Sequence, residues 1–275
     1  MQKQFKTFQP GPALRPYIER YWMLEFDHPG SPVPMIKVLP YGHPEFVFHY
    51  GDPFRLYDHL KKTVPHTELR ALVGGQRKKH VYLQPTGKTG FFAVRFRPAG
   101  LFRLMGGPMN ELTEQSLSLE EVYGALVHSL IDAIWNAADF ENRVDIAEHF
   151  FGQQLLRRED KVVYAHYAAR YVRENGGQVT VAELCRKLGI GERQVEREFK
   201  EKIGITPKYF IRISRLDNAF KMLRQHPSLG WAELAYECGY ADQAHFINEF
   251  RALSGESPTQ HFARHAEFSA VYQGV

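Results

Sequence analysis

An internal repeat in the C-terminal half constrains the fold of this chain more than any other feature. The segment 181–189, VAELCRKLG, returns fifty residues later as 231–239, WAELAYECG. After one inserted residue, three further pairs correspond: Phe199 with Phe250, Gly204 with Gly255, and Pro207 with Pro258. Repetition at a fixed spacing indicates that one supersecondary unit has been duplicated. The second half is therefore expected to fold as two similar units.

Each copy has the pattern of a helix-turn-helix: a short helix with an apolar stripe, a glycine suited to positive φ, a turn of three or four residues, and a second helix. At about 100° per residue, Val195 and Phe199 of the first copy point inward, as do Phe246 and Phe250 of the second. Asp242 is expected to cap the second helix of the second copy. The pattern predicts an all-α domain.

The outward faces of the two second helices carry side chains that suit the major groove of DNA. The base-reading candidates are Arg193, Gln194, Glu196, Arg197, Gln243, Ala244, Ile247 and Asn248. Arg pairs with guanine, Asn or Gln pairs with adenine, and apolar atoms contact the thymine methyl group. The candidates for phosphate contacts are Lys200, Lys202, Lys208 and Arg251. Glu196 either accepts from cytosine or pairs with Lys200 along the helix.

A solvated surface is the alternative interpretation of such a face, because surface helices usually carry charged side chains. Two tandem copies joined by one helix, from residue 206 or 207 to about residue 224, favour DNA instead. Such copies can present both second helices to one side of a duplex about one helical turn, ~34 Å, apart.

The first half of the chain has the pattern of β-structure. Apolar and aromatic runs at 45–50, 80–83 and 91–97, bounded by glycine and proline, predict short strands. Because no long helix separates these runs, an antiparallel β sandwich or barrel is expected rather than a parallel sheet.

Helical spacing begins at Leu117, where Ser118 and Glu121 form the pattern of a capping box. A further helix is expected over about 142–156, and a polar run near Asp160 marks the domain border. The predicted fold class is therefore α+β with two domains. The predicted divisions are a β-rich sensory domain at 1–116, a helical dimerisation or linker segment at 117–159, and a tandem helix-turn-helix domain at 160–275.

Polar side chains in the β-rich part are candidates for an effector pocket: Tyr41, His43, Glu45, His49 and Arg95. His43, Glu45 and His49 share one strand face by two-residue periodicity, so a metal site is an alternative to a polar pocket wall. Arg95 either clamps a ligand carboxylate or forms a structural ion pair. No catalytic motif was found, so no catalytic residue, metal or cofactor is expected.

Residues of about 160–263 resemble the DNA-binding domain of AraC/XylS-type transcription regulators. The resemblance is carried by 239–258, which reads G-Y-x-D-Q-x-H-F-x-x-x-F-R-x-x-x-G-x-x-P. It implies two recognition helices in adjacent major grooves. The implied base readers are Arg193, Glu196 and Arg197 in the first copy, and Gln243, Ala244, Ile247 and Asn248 in the second. Ala244 departs from the more usual polar residue, and with Ile247 it implies apolar contacts or backbone positioning at the second site.

The N-terminal part resembles the sensory β-domain of one group of these regulators, at 39–48, 73–76 and 94–100. The resemblance implies a cupin-like domain regulated by a small molecule, and a homodimer formed through the helices after Leu117. An activator of this family would also contact RNA polymerase.

Composition narrows the class of protein further. A formal net charge of +4 on 275 residues does not by itself identify a partner. Cys185 and Cys238 each lie in an amphipathic helical pattern, which suggests core positions and a reducing compartment. The N-terminus has no apolar signal region and no stretch approaches the ~20 apolar residues of a membrane span, so a cytoplasmic protein is expected.

These observations predict a sequence-specific regulator of transcription that binds double-stranded DNA and is controlled by a small molecule. One alternative is a cupin-type metal-dependent enzyme domain tethered to a DNA-binding module. The other is a β-domain that binds no ligand and only dimerises.

Overall fold

The computed structural model describes residues 3–27, 35–63, 69–158 and 163–265. In these ranges the N-terminal part forms two antiparallel sheets. Their strands are β1 (Lys3–Phe8), β2 (Ile18–Phe26), β3 (Ile36–Val38), β4 (Glu45–His49), β5 (Phe54–Tyr57), β6 (Ala71–Gly74), β7 (Val81–Pro85), β8 (Thr89–Phe96) and β9 (Ser116–Ser118). The larger sheet has the order β1-β2-β8-β4-β6-β9, and the smaller has the order β3-β7-β5.

The larger sheet has a separate apolar core on each face. Alternate residues of β8 point to opposite sides: Phe91 and Ala93 pack with the smaller sheet, whereas Phe92 and Phe96 pack with helices. Every residue of β8 is buried, which explains why its sequence is apolar apart from Thr89 and Arg95. The predicted antiparallel architecture is confirmed. Sequence patterns identified only three of these strands, because the other six are short or lack clear alternation.

Helices follow the sheets along the chain. They are α1 (Gly100–Met105), α2 (Leu119–Tyr123), α3 (His128–Asn136), α4 (Phe140–Arg157), α5 (Val163–Glu174), α6 (Val181–Leu188), α7 (Glu192–Lys202), α8 (Pro207–Gln225), α9 (Trp231–Glu237), α10 (Gln243–Ser254) and α11 (Pro258–His265). Among the described residues, none of these helices combines the length and apolar character that a bilayer span requires.

The helical segment after Leu117 differs from its prediction in two details. The Ser118 hydroxyl accepts from the backbone N–H of Glu120, and not from that of Glu121, so the expected capping box does not form. The helical spacing that begins at Leu117 is not one helix in the structure: α2 ends before Gly124, whose φ is +57°, and a 3₁₀ turn leads into α3. The expected border at Asp160 lies outside the described residues.

The C-terminal helices share one core, which contains the four side chains predicted to point inward. Val195 and Phe246 are fully buried, and Phe199 and Phe250 are exposed by 1% or less. Both repeat units therefore bury equivalent positions, in agreement with the helical periodicity.

Candidate nucleic-acid interface and ligand cavity

The first repeat unit consists of α6, a short turn and α7. Thr180 and Glu183 form a capping box that starts α6, and Gly189 ends it in the left-handed conformation with φ of +67°. Gly191 then caps α7 through its extended backbone. These local signals set the angle at which α7 leaves the turn, while Val195 and Phe199 fix which of its faces is buried.

The outer face of α7 carries the predicted base-reading side chains. Arg193 and Arg197 are exposed, and Gln194 and Glu196 are half-buried. Glu196 Oε2 lies 3.8 Å from Lys200 Nζ, which is the helical pairing that the sequence left as one alternative. In the free protein, the two arginines are therefore the guanidinium groups of this face that have open access to a partner.

The second repeat unit consists of α9, its turn and α10. Asp242 caps α10 as predicted, because its Oδ1 accepts from the backbone N–H of His245 at 2.7 Å. On the outer face Gln243, Ala244 and Asn248 are exposed, whereas Ile247 is half-buried and packs against the helical core. This face therefore presents amide groups and methyl groups where α7 presents guanidinium groups.

Helix α8 connects the two units and is tied to both. Arg212 Nε donates to Glu249 Oε1 of α10 at 2.7 Å. Arg215 donates to the carbonyl oxygen of Gly177, just before α6, at 3.2–3.3 Å. Ion pairs and charge-assisted hydrogen bonds of this kind restrict how the two units move relative to α8.

Three of the four residues predicted to contact phosphate lie at the surface. Lys200, Lys208 and Arg251 are exposed. The fourth residue, Lys202, does not fit the predicted phosphate contact. Its side chain is 13% exposed, and its Nζ lies 2.6 Å from Glu198 Oε2 and 6.0 Å from the centre of the Phe102 ring. Because Phe102 belongs to α1, Lys202 faces the β-rich part and is not available to a duplex in this arrangement.

The β-rich part holds the C-terminal end of α7 through two hydrogen bonds that sequence reasoning missed. The backbone N–H of Met109 donates to the carbonyl oxygen of Glu201 at 2.8 Å. The Thr113 hydroxyl donates to the carbonyl oxygen of Gly204 at 2.5 Å. A Cβ on Gly204 would lie 2.8 Å from the Met109 carbonyl oxygen, so this approach requires a glycine.

The equivalent end of α10 is held by a buried ion pair. Lys37 Nζ lies 2.5 Å from Glu256 Oε1 and donates to the carbonyl oxygen of Ser254 at 3.0 Å; the Lys37 and Glu256 side chains are 5% and 9% exposed. The backbone N–H of His80 donates to the carbonyl oxygen of Leu253. Gly255 corresponds to Gly204, and a Cβ there would lie 2.6 Å from the His80 ring.

Burial affects the titration of this second contact. It lowers the pKa of His80 to about 4, and the nearby ammonium group of Lys37 acts in the same direction. Burial alone would raise the pKa of Glu256, but hydrogen bonds from Lys37 and His261 outweigh it and lower that pKa. The Glu256 carboxylate is therefore held in its charged form beside Lys37.

A cavity of about 110 Å³ lies between the two sheets. Tyr41, Glu45 and His49, predicted for an effector pocket, contribute to its wall, together with apolar residues and Arg77. His43 and Arg95 were predicted for the same pocket, but neither lines this cavity.

Arg95 forms the structural ion pair that was one of its two predicted roles. Its Nε donates to Glu45 Oε1 at 2.6 Å, and both side chains are less than 10% exposed. The same carboxylate accepts from Trp22 Nε1 at 3.1 Å and from the Tyr41 hydroxyl at 2.7 Å. This network satisfies the buried Glu45 charge and orients Tyr41 at the cavity wall.

The residues proposed for a metal site are separated from one another. His43 precedes β4, and its Nδ1 donates to the Phe96 carbonyl oxygen at 2.7 Å; burial, with nearby Arg173 and Arg95, holds its pKa well below the usual value. His49 lies at the far end of β4, with Nδ1 at 2.9 Å from the Leu69 carbonyl oxygen. Within the ranges that the structure describes, no three His, Cys, Asp or Glu side chains are arranged to hold a metal ion.

Two protein families match parts of the chain. Residues 184–264 match a family described as a helix-turn-helix domain, a range that covers most of the first repeat unit and all of the second. Residues 6–118 match a domain of unknown function, DUF6597, which covers most of the two sheets.

Similar proteins include the probable transcriptional regulator LumQ of Photobacterium leiognathi, at 30% identity over 113 residues, which are 40% of this chain and 43% of LumQ. The HTH-type transcriptional regulator CdhR of Pseudomonas aeruginosa is 27% identical over 150 residues, which are 50% of this chain and 44% of CdhR. The chain thus spans less than half the length of either curated relative. Among solved structures, ToxT from Vibrio cholerae aligns with a TM-score of 0.49 and 10% identity over 95% of this chain and 97% of ToxT.

Proposed function

We propose that this chain is a transcription regulator of the AraC/XylS type, which binds a specific double-stranded DNA sequence and controls transcription in response to a small molecule. The observation that carries the proposal is the pair of repeat units, which bury equivalent aromatic residues and leave one face of α7 and one face of α10 exposed. A helix bundle with only a structural role does not require two such faces.

Base recognition is assigned to the exposed faces. In the first unit, Arg193 and Arg197 would read guanine, with Gln194 beside them. Glu196 would accept from cytosine only after leaving Lys200, so its contribution to affinity is smaller than that of the arginines. In the second unit, Gln243 and Asn248 would read adenine, while Ala244 and Ile247 would contact thymine methyl groups.

Phosphate contacts are assigned to Lys200, Lys208 and Arg251. Their exposed cations would release counterions from the duplex and so supply affinity that is independent of sequence. Backbone N–H groups at the start of α7 and of α10 would add to these contacts.

Control by a small molecule is assigned to the β-rich part, whose cavity lies between the two sheets. Arg77 lines this cavity and donates to the Glu114 carbonyl oxygen at 2.5 Å. Thr113, the residue before Glu114, donates to the Gly204 carbonyl oxygen and so holds the end of α7. A ligand that binds the cavity differently in two domain arrangements would shift their populations. The wall residues Tyr41, Glu45 and His49 would supply the polar contacts.

The proposed division of labour is sensing by 1–116, dimerisation by 117–159 and DNA binding by 160–275. We propose a homodimer formed through α3 and α4, and RNA polymerase as a further partner if the chain activates transcription. Because the proposed target is chromosomal DNA, we propose that the protein acts in the cytoplasm.

The test is selection of binding sites from random DNA by the purified full-length chain, followed by footprinting of the selected site. We expect two protected major-groove segments separated by about one helical turn, ~34 Å. Absence of any enriched sequence, or a footprint limited to one groove segment, would contradict the proposed function.

A further inference from the structure

A second and larger depression lies between the two parts of the molecule. One wall is formed by the turn at residues 12–16, which precedes β2, and by Arg97–Ala99, which follow β8. The other wall is the exposed side of α5, from His166 to Glu174. Its volume is about 430 Å³, within the range of roughly 300–1,000 Å³ that small-molecule sites occupy. We call this space the interdomain cleft.

The interdomain cleft is lined by four arginines and one carboxylate. The arginines are Arg15, Arg97, Arg170 and Arg173, and the carboxylate is Glu174. Glu174 Oε1 lies 2.8 Å from Arg170 Nε. Counting these five side chains, four positive and one negative, the wall carries a formal charge of +3.

Partners outside the wall neutralise this charge only in part. Arg97 pairs with Glu19 at 2.8 Å, and Arg173 approaches Asp217 at 3.5 Å, although Asp217 also pairs with Lys221 at 2.8 Å. Arg173 Nε is buried and has no hydrogen-bond partner among the described residues. Another nitrogen of the same guanidinium, Nη2, donates to the Tyr41 carbonyl oxygen at 2.6 Å, which is a neutral acceptor. An anion in the cleft would therefore offset positive charge that the surrounding carboxylates leave in this wall.

More positive charge is buried on the neighbouring strands β2 and β8. Arg20 is 8% exposed, and its Nε and one terminal nitrogen have no hydrogen-bond partner within the described ranges. Burial, with repulsion from Arg95, lowers the pKa of Arg20 to about 10. Glu45 and Glu19 are the carboxylates near Arg20. Burial is the main cause that lowers the pKa of Arg173, and Arg97 and Arg95 act in the same direction, so the charge of buried Arg95 is felt at the cleft wall.

We propose that the interdomain cleft binds a small organic anion with at least two negative charges, a dicarboxylate or a phosphate ester. Guanidinium groups bind carboxylate and phosphate through paired, charge-assisted hydrogen bonds. Pro12, Pro16 and Pro98 give the wall apolar surface for a short carbon skeleton. Because the arginines come from both parts of the molecule, the bound anion bridges the β-rich part and α5.

This site goes beyond the proposed function. It is separate from the cavity between the sheets, since the two share no lining residue. Residues of α7 and α10 do not line it either, so it is not an extension of the DNA-reading faces. A concave wall of this volume suits a small molecule better than the convex backbone of a duplex.

The test is calorimetric titration of the full-length chain with succinate and, separately, with pyrophosphate, against sodium chloride at matched ionic strength. Arg15→Ala removes a cation from the β-rich wall, and Arg170→Ala removes one from α5. Both side chains are exposed, so the variants are expected to fold. Arg224→Ala, at the exposed end of α8, is the matched control because it removes the same charge far from the cleft wall.

We expect saturable binding of at least one probe, weakened about tenfold or more by each wall variant and unchanged by the control. The probe that binds identifies the carboxylate or the phosphate class. No saturable binding of either probe below about 10 mM overturns the proposal. Equal anion binding by wild type and either wall variant overturns the bridging site. None of these titrations requires DNA, so they fail independently of the proposed function.

Discussion

The two helix-turn-helix units have the same internal structure and different surfaces. Val195 and Phe199 in the first unit and Phe246 and Phe250 in the second occupy equivalent buried positions. The equivalent outer positions have diverged: Arg193 corresponds to Ala244, Glu196 to Ile247, and Arg197 to Asn248. Close packing constrains the inner positions of both copies, whereas the outer positions remain free to acquire different base preferences.

The contacts of the two units with the β-rich part have diverged in the same way. Beside Gly204 the first unit buries Ile203 and Ile205, which are each 1% exposed. At the equivalent positions the second unit buries Ser254 and Glu256, and Lys37 neutralises the carboxylate. The first unit is joined to the β-rich part by hydrogen bonds to the Glu201 and Gly204 carbonyl oxygens, whereas the second is joined by an ion pair between Lys37 and Glu256. Removal of the Lys37 charge is therefore expected to weaken the contact between the second unit and the β-rich part.

The largest expected effect tests the shared core. Phe199→Ala and Phe250→Ala should each lower the free energy of unfolding by about 3–5 kcal/mol, because each leaves a cavity in the same core. Urea denaturation of both variants measures this, with Arg224→Ala as a surface control that should change it by less than about 0.5 kcal/mol. A cost below about 1 kcal/mol for either phenylalanine would show that the two units are not equivalent.

The next prediction separates the two attachments. Lys37→Met leaves the buried Glu256 without its cation and should cost about 3 kcal/mol, whereas Thr113→Val removes one hydrogen bond and should cost about 1 kcal/mol. Denaturant titration compares the two variants. The double variant Lys37→Met with Glu256→Gln should recover part of the loss. Equal costs for the two single variants would remove the distinction between the contacts.

Arg197→Ala should weaken DNA binding by about 1–3 kcal/mol and relax specificity at one base pair, and Asn248→Ala should do so at a different base pair. Binding to single-base variants of the selected site measures both effects. Arg186→Ala, on the exposed side of α6, is the control. If both variants relaxed the same base pair, the two units would not read separate grooves.

Lys208→Ala should weaken binding to all sequences alike and reduce the slope of log affinity against log salt by about 1. Lys202→Ala should leave that slope unchanged, because Lys202 faces Glu198 and Phe102. A salt titration of the two variants against wild type is the measurement. A reduced slope for Lys202→Ala would show that Lys202 contacts DNA phosphates after all.

The smallest effect is the pH dependence of the second attachment. His80 has a pKa of about 4 in the folded chain and about 6.5 when unfolded. Below pH 6.5 the unfolded state therefore binds a proton that the folded state does not, so stability falls as pH decreases toward 4. His80→Gln should lose less stability than wild type between pH 7 and pH 5, by on the order of 1 kcal/mol. Thermal unfolding at the two pH values measures this difference between the variant and wild type. His43 and His49 are present in both proteins, so their titration cancels in the comparison. Identical pH profiles would exclude His80 as the cause.

The sequence predicted most of what depends on neighbouring residues. The N-cap at Asp242 and the buried faces of α7 and α10 follow from short-range spacing, and the structure confirms them. Lys202 was misassigned although a signal was available, since it follows Phe199 by three residues and Val195 by seven, which places it on the edge of the buried face. Its partner Phe102 is remote in sequence, and no local pattern identifies it.

The sequence by itself determined the two repeat units, their caps and their buried faces, because hydrogen bonds and side-chain periodicity within about four residues specify a helix and its end. Only the tertiary structure decided that Arg95 pairs with Glu45, that Lys37 reaches Glu256, and that arginines from two distant segments line one cleft. These groups are far apart along the chain, and buried charges choose their partners by distance and desolvation in the folded state.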